Sequence, residues 1–146
     1  PVSISYEFDP NDQLKAMELD ASELNNKYVK EKDEDLKSIA NGITGFKGHV
    51  TLNISEPMEF DPNDDYLAIS SKITNLILKM YELHATNFAA CNLLGWDWHC
   101  QTNFSNKEIN LAEKALDKRI KPLETSARSK LLEQYANPVI RKLQLH

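Results

Sequence analysis

The sequence is poorest in features that would assign it quickly to a class. Of 146 residues only two are cysteine, Cys91 and Cys100, too few for a small secreted domain held by disulfides. Reduced thiols in a cytosolic setting are the expectation, with a Cys91–Cys100 bridge as the lesser alternative. Basic residues are outnumbered 17 to 22 by acidic ones, giving a formal net charge of −5. A nucleic-acid groove needs concentrated positive charge, so this balance argues against one, although a local basic patch is compatible with it. No apolar run approaches the roughly 18 residues of a membrane span, and no signal-peptide pattern is present.

Several chemical signatures are missing as well. There is no C-x2-4-C knuckle, no H-x3-5-H pair, no G-x-S-x-G elbow and no D-x-D-x-D-G calcium loop. His84, Cys91, His99 and Cys100 are all zinc-ligating types, but the adjacent His99-Cys100 pair is badly placed to share one ion. The remaining histidines are His49 and His146. A Ser-His-Asp system is compatible with the composition but nothing points to one.

What is present is an ordinary globular composition, 41% apolar and 27% charged, long enough for one domain with a real core. The chain begins on Pro1-Val2-Ser3-Ile4-Ser5-Tyr6-Glu7-Phe8, which alternates apolar and polar residues at the period of a strand. No initiator methionine, polar lead-in or turn precedes it. Termini are usually surface segments that fray, so a start on a core-type strand raises the expectation of a missing upstream portion. A second strand is expected over His49 to Ser55, with Val50, Leu52 and Ile54 on one face. Two strands about 40 residues apart make a poor independent sheet, which repeats the same expectation.

A six-residue phrase occurs twice, Glu7-Phe8-Asp9-Pro10-Asn11-Asp12 and Glu59-Phe60-Asp61-Pro62-Asn63-Asp64. In each copy the first Asp is suited to accept from backbone N–H groups at a helix start, and proline fits the first helical position. The phrase therefore reads as strand-to-helix entry. Leu14, Met17 and Leu19 suggest a short helix after the first copy, and Asp20 to Lys37 reads as a solvated connection. A helix is expected near Asp33 to Asn41, stopped by Asn41-Gly42.

Gly42, Gly45 and Gly48 then lie between a helix and a strand. That order suits a helix cap and turn, because a phosphate cradle needs strand, glycine loop and helix in sequence. Lys47 reads as a solvated lysine, with an anionic ligand as the sharper alternative.

From Tyr66 the spacing turns helical. Ile69, Ile73, Leu76, Ile77, Met80 and Tyr81 form a broad apolar stripe, expected to pack on the strands and later helices; receiving a partner helix is the alternative. The pattern continues or restarts to Leu94 and stops at Gly95. Another helix begins at Asn106, with Ile109, Leu111, Ala112, Ala115 and Leu116 facing inward. The last runs from Leu123 to Tyr135, broken or kinked at Asn137-Pro138. Trp96 and Trp98 are expected to dock on the core and a neighbouring helix, with a membrane-interface anchor as the alternative.

The fold class expected is α/β: a mostly helical chain with two or three β-strands. It forms one region with a strand-helix unit over about 1–47 and a strand with helical cover over about 48–146.

Six segments, taken in order, carry a family resemblance. They are Pro1-Val-Ser-Ile-Ser-Tyr-Glu7, Lys15-Ala-Met-Glu-Leu19, Gly42-Ile-Thr-Gly-Phe-Lys-Gly48, Tyr81-Glu-Leu83, Asn87-Phe-Ala-Ala90 and Leu131-Leu-Glu-Gln-Tyr-Ala-Asn-Pro-Val139. Together they resemble the C-terminal portion of a bacterial branch of the glycerolphosphate and lysophosphatidate acyltransferases. The resemblance implies a parent enzyme moving an acyl group from acyl-CoA or acyl carrier protein to a glycerolipid hydroxyl. It implies no other cofactor, and a cytoplasmic place at the inner membrane face.

In that family a His-x4-Asp pair takes the hydroxyl proton. Here the residues five beyond His49, His84 and His99 are Ile54, Ala89 and Phe104, so the pair is absent and no residue is expected to be catalytic. The family's phosphate-holding Glu-Gly and Arg motif is absent too. Pro1 and Val2 match the end of the last family block, which implies that they line part of the parent's substrate pocket. A non-catalytic helical binding module, or a self-association module, is the rival reading; surface left open by missing strands would be sticky.

Overall fold

A computed structural model describes residues 1–25, 28, 30 and 32–145. The connection expected over Asp20 to Lys37 lies partly outside the described residues, and His146 lies wholly outside them. The elements are β1 (Val2–Tyr6), α1 (Asp12–Asn25), α2 (Glu34–Thr44), β2 (Val50–Ile54), α3 (Tyr66–Met80), α4 (Ala85–Leu94), α5 (Asn106–Ile120) and α6 (Thr125–Leu143). The chain is thus mostly helical, with one two-stranded antiparallel sheet among the described residues.

The core is helical. Helix α4 lies between α5 and α6, and α1 leans on α6. Every residue from Thr86 to Cys91 is buried, because the short side chains of Ala89, Ala90 and Cys91 let the flanking helices approach. Ile109, Ala112 and Leu116 come in from α5, and Leu131, Leu132, Tyr135, Ala136 and Val139 from α6. Leu111 points outward, 58% exposed.

Local chemistry sets the helix ends. Ser105 and Glu108 form a reciprocal capping box at the start of α5, with the Ser105 N–H donating to the Glu108 carboxylate at 2.8 Å. Asp65 caps α3 by accepting from Ala68 N–H at 2.8 Å. Gly95 ends α4 with φ at 68°, a left-handed conformation that costs glycine little.

The repeated phrase works as a turn in both copies. Asp9 accepts the Asn11 N–H and Asp61 accepts the Asn63 N–H, each at 2.8 Å. Proline does not occupy the first helical position, however. Helix α1 begins at Asp12 and α3 at Tyr66, so Pro10 and Pro62 belong to the turns.

Three helices run further than the sequence suggests. Helix α1 continues through the polar stretch to Asn25, whose charges form a solvated helix face. Helix α2 passes Asn41-Gly42 and ends at Thr44, capped by Gly45. A Cβ at Gly45 would meet the Pro10 side chain at 2.6 Å, so the close approach explains the glycine. Helix α6 contains Pro138 without breaking. Buried Tyr135, Ala136 and Val139 flank the proline, and keeping that face in the core outweighs one lost backbone bond.

The ribbon has an unexpected orientation. Its register pairs Val2 with Ile54, Ile4 with Leu52 and Tyr6 with Val50, so both apolar rows share one face. That face points outward: Ile4 is 47% exposed, Leu52 57% and Ile54 73%. The polar rows point inward, with Ser3 and Ser5 buried and Asn53 Nδ2 donating to the Met80 carbonyl at 2.6 Å. Helices α2 and α3 bury no residue fully, and the α3 stripe from Ile69 to Met80 is only half-covered by β1 and α6.

Candidate functional site

A cleft of about 640 Å3 lies between the end of the ribbon, the start of α4 and one face of α5. Four separate stretches of chain build it. Glu7 and Phe8 follow β1, His49 precedes β2, Glu82, Leu83 and His84 lead into α4, and Glu108 with Leu111 comes from α5. The connection from β1 is fixed by backbone bonds from Glu7 N–H to His49 O at 2.8 Å and Phe8 N–H to Lys47 O at 2.9 Å.

His84 is the most constrained polar group there. Its backbone N–H donates to Asn87 Oδ1 at 2.6 Å, while Asn87 Nδ2 donates to the Tyr135 carbonyl at 2.8 Å. The side chain is 5% exposed and its Nε2 has no hydrogen-bond partner. Burial pushes the imidazole below its ordinary pKa; the Glu7 charge and a hydrogen bond with the Ser5 backbone oppose that shift. The His49 ring lies 6.3 Å away. Glu7 Oε2 accepts the His49 backbone N–H at 2.9 Å, and hydrogen bonds from Ser105 hold the Glu108 carboxyl below its usual range.

A second polar group is structural. Asp12 is fully buried and takes two hydrogen bonds from Arg119 and one from Tyr135. All of its partners are already spent on the fold. Sequence spacing gave no sign of it, since Asp12 and Arg119 are 107 residues apart.

The residues singled out from sequence fall mostly elsewhere. Pro1 accepts the Ser55 N–H at 3.0 Å, and Val2 stands 49% exposed on the outer ribbon face; neither lines the cleft. Of the zinc-type residues, His84 reaches the cleft. Burial pushes the Cys91 thiol up to about 11 and raises Cys100 as well, so neither is a reactive thiolate at neutral pH. Both cysteines are free, and no group of three His, Cys, Asp or Glu among the described residues is placed to hold a metal.

Lys47 Nζ donates to the Ile43 and Gly45 carbonyls at 3.1 Å, which spends it on the end of α2. Trp98 packs on Phe88 with ring centroids 4.8 Å apart and donates to Asn92 Oδ1, while Trp96 is half-buried against the core. Docking of both rings on the helical core is thus what the structure contains. No described helix is long and apolar enough to cross a membrane.

No family model, curated protein or solved structure matches the chain. The cleft itself is rich in hydrogen-bond acceptors and apolar walls. Among the described residues that line it there is no cysteine, serine, lysine or aspartate.

Proposed function

We propose that this chain is a non-catalytic interaction module whose docking surface is the outer face of the β1–β2 ribbon. One observation carries the reading: Val2, Ile4, Val50, Leu52 and Ile54 are aligned by register on one face of the ribbon and stand 47% to 73% exposed, with Tyr6 half-buried at its end. Strand pairs normally turn their apolar rows inward, because each buried CH2 contributes about 0.8 kcal/mol. A contiguous apolar patch left outside is the usual mark of a protein-protein contact. The face carries no charge, so a second copy of the chain can meet it across a two-fold axis without repulsion.

Light scattering after size exclusion tests this. The expected result is a wild-type dimer and a monomeric, equally folded Leu52→Lys variant. Wild-type protein that stays monomeric at millimolar concentration, indistinguishable from the variant, removes the reading.

The six ordered segments favour a second reading, in which the chain is the C-terminal portion of a glycerolipid acyltransferase. The parent would use acyl-CoA or acyl carrier protein as donor and a lysophosphatidate-like acceptor, at the inner face of the membrane. The ribbon's apolar face would then meet the catalytic part of the same polypeptide, and Pro1 and Val2 would border its substrate pocket. An upstream coding sequence with no His-x4-Asp within a couple of hundred residues would dispose of this alternative.

A further inference from the structure

We infer that a second copy of the chain docks by strand addition along the free edge of β2, so that β2 of one copy pairs antiparallel with β2 of the other. The inference rests on the self-association proposed above and specifies how the copies meet. The direction of each peptide group in the ribbon follows from its register. Glu7 N–H donates to the His49 carbonyl and Ser55 N–H to the Pro1 carbonyl. Bonded pairs in an antiparallel ladder recur at every second residue, so Ser3, Ser5, Thr51 and Asn53 hold the two strands together. Val50, Leu52 and Ile54 therefore turn their N–H and C=O groups away from β1. Among the described residues no backbone hydrogen bond from elsewhere in the chain reaches those groups.

An open edge of this kind is a template for another strand, and proteins guard it with lysine, proline, a bulge or a covering helix. The strand Val50-Thr51-Leu52-Asn53-Ile54 has no charge and no proline, and its register with β1 is unbroken. Among the described residues no helix packs on β2 as α3 does on β1. The occupant is a second copy because the row fits itself. About a two-fold axis through Leu52, Val50 faces Ile54 of the second copy and the two Leu52 side chains face each other, apolar against apolar on the exposed side. The same axis brings the Glu56 end of each strand to the Lys47 end of the other, so opposite charges meet at both ends.

Amide hydrogen exchange of the full chain, followed by NMR above and below the dissociation concentration, tests this. The Leu52 N–H is expected to exchange roughly tenfold or more slowly in the dimer than in the dilute monomer, with the Ile4 N–H on the opposite edge unchanged. Leu52→Pro should be monomeric with the circular dichroism of the wild-type monomer, because that N–H takes no part in pairing with β1 and an edge strand accepts proline. Leu52→Ala keeps the N–H and should still dimerise, more weakly. Wild type that stays monomeric at every concentration sinks the self-association and this geometry together. A dimer whose Leu52 N–H exchanges as fast as the monomer's, or one that Leu52→Pro leaves intact, overturns the edge pairing alone. Protection of Leu52 already present in the dilute monomer would put another part of the chain on that edge and overturn it as well.

Discussion

Arg119 on α5 clamps Asp12 at the start of α1, with Nε donating to Oδ2 at 2.6 Å and Nη2 to Oδ1 at 2.8 Å. The same guanidinium donates to the Asp9 carbonyl at 2.9 Å and lies 5.6 Å from the centre of the Phe8 ring. Tyr135 on α6 completes the arrangement. Its hydroxyl donates to Asp12 Oδ2 at 2.7 Å and accepts the Asp9 N–H at 2.9 Å. Burial and the neighbouring Asp12 charge raise the phenol far above its ordinary pKa, so the proton stays on it. Three helices and the turn after β1 are thereby held to one carboxylate.

Removing a single partner from this group should be costly, because the buried Asp12 charge would remain. Arg119→Ala is expected to lower the unfolding free energy by about 3 kcal/mol, and Tyr135→Phe by about 1 kcal/mol. Urea unfolding at pH 7 measures both. The paired replacement Asp12→Leu with Arg119→Leu should lose less than the sum of the two single changes, since it leaves no orphaned charge. Strict additivity would show that the clamp is screened by water at the half-exposed guanidinium.

The ribbon makes the opposite prediction. Ser3 Oγ and Ser5 Oγ are buried without a hydrogen-bond partner, and a hydroxyl in that condition destabilises the fold it sits in. Ser5→Ala should therefore raise stability by about 1 kcal/mol, read as a higher urea midpoint with an unchanged slope. A drop would mean that solvent reaches the hydroxyl in solution.

Much of the helical core was legible in the sequence, for local reasons. The helix starts at Tyr66 and Asn106 and the stop at Gly95 are read from patterns confined to a few turns, and the structure keeps all three. The ribbon shows where such reasoning stops. Alternation in Val2 to Tyr6 reveals that one face is apolar, but not which face the rest of the chain covers; only tertiary packing, such as that of β1 against α3, decides that. Asp20 to Asn25 looked like a solvated connection because the outer face of a helix has the same composition. The cleft gave no local signal at all, since Glu7, His49, His84 and Glu108 meet through tertiary packing of four distant segments. Pro138 is the mirror case: a strong local break signal is overridden by the burial of Val139 beyond it.

Acid should weaken the fold through His84. Its folded pKa lies below the ordinary 6.5, because the charged ring would lose hydration in its buried place. Between those two values the unfolded chain binds more protons than the folded one, so stability rises with pH across that window. The contribution is complete above about pH 6.5 and is lost as pH falls through the folded pKa. Glu7 and Glu82 face the ring and oppose the effect, while a protonated His49 adds to it. Urea midpoints at pH 7.5, 6.5 and 5.5 should decline more steeply for wild type than for His84→Gln, which has no proton to gain. Wild type gaining stability on the variant as pH drops would reverse the sign, and would mean that the protonated ring pairs with Glu7 instead of being expelled.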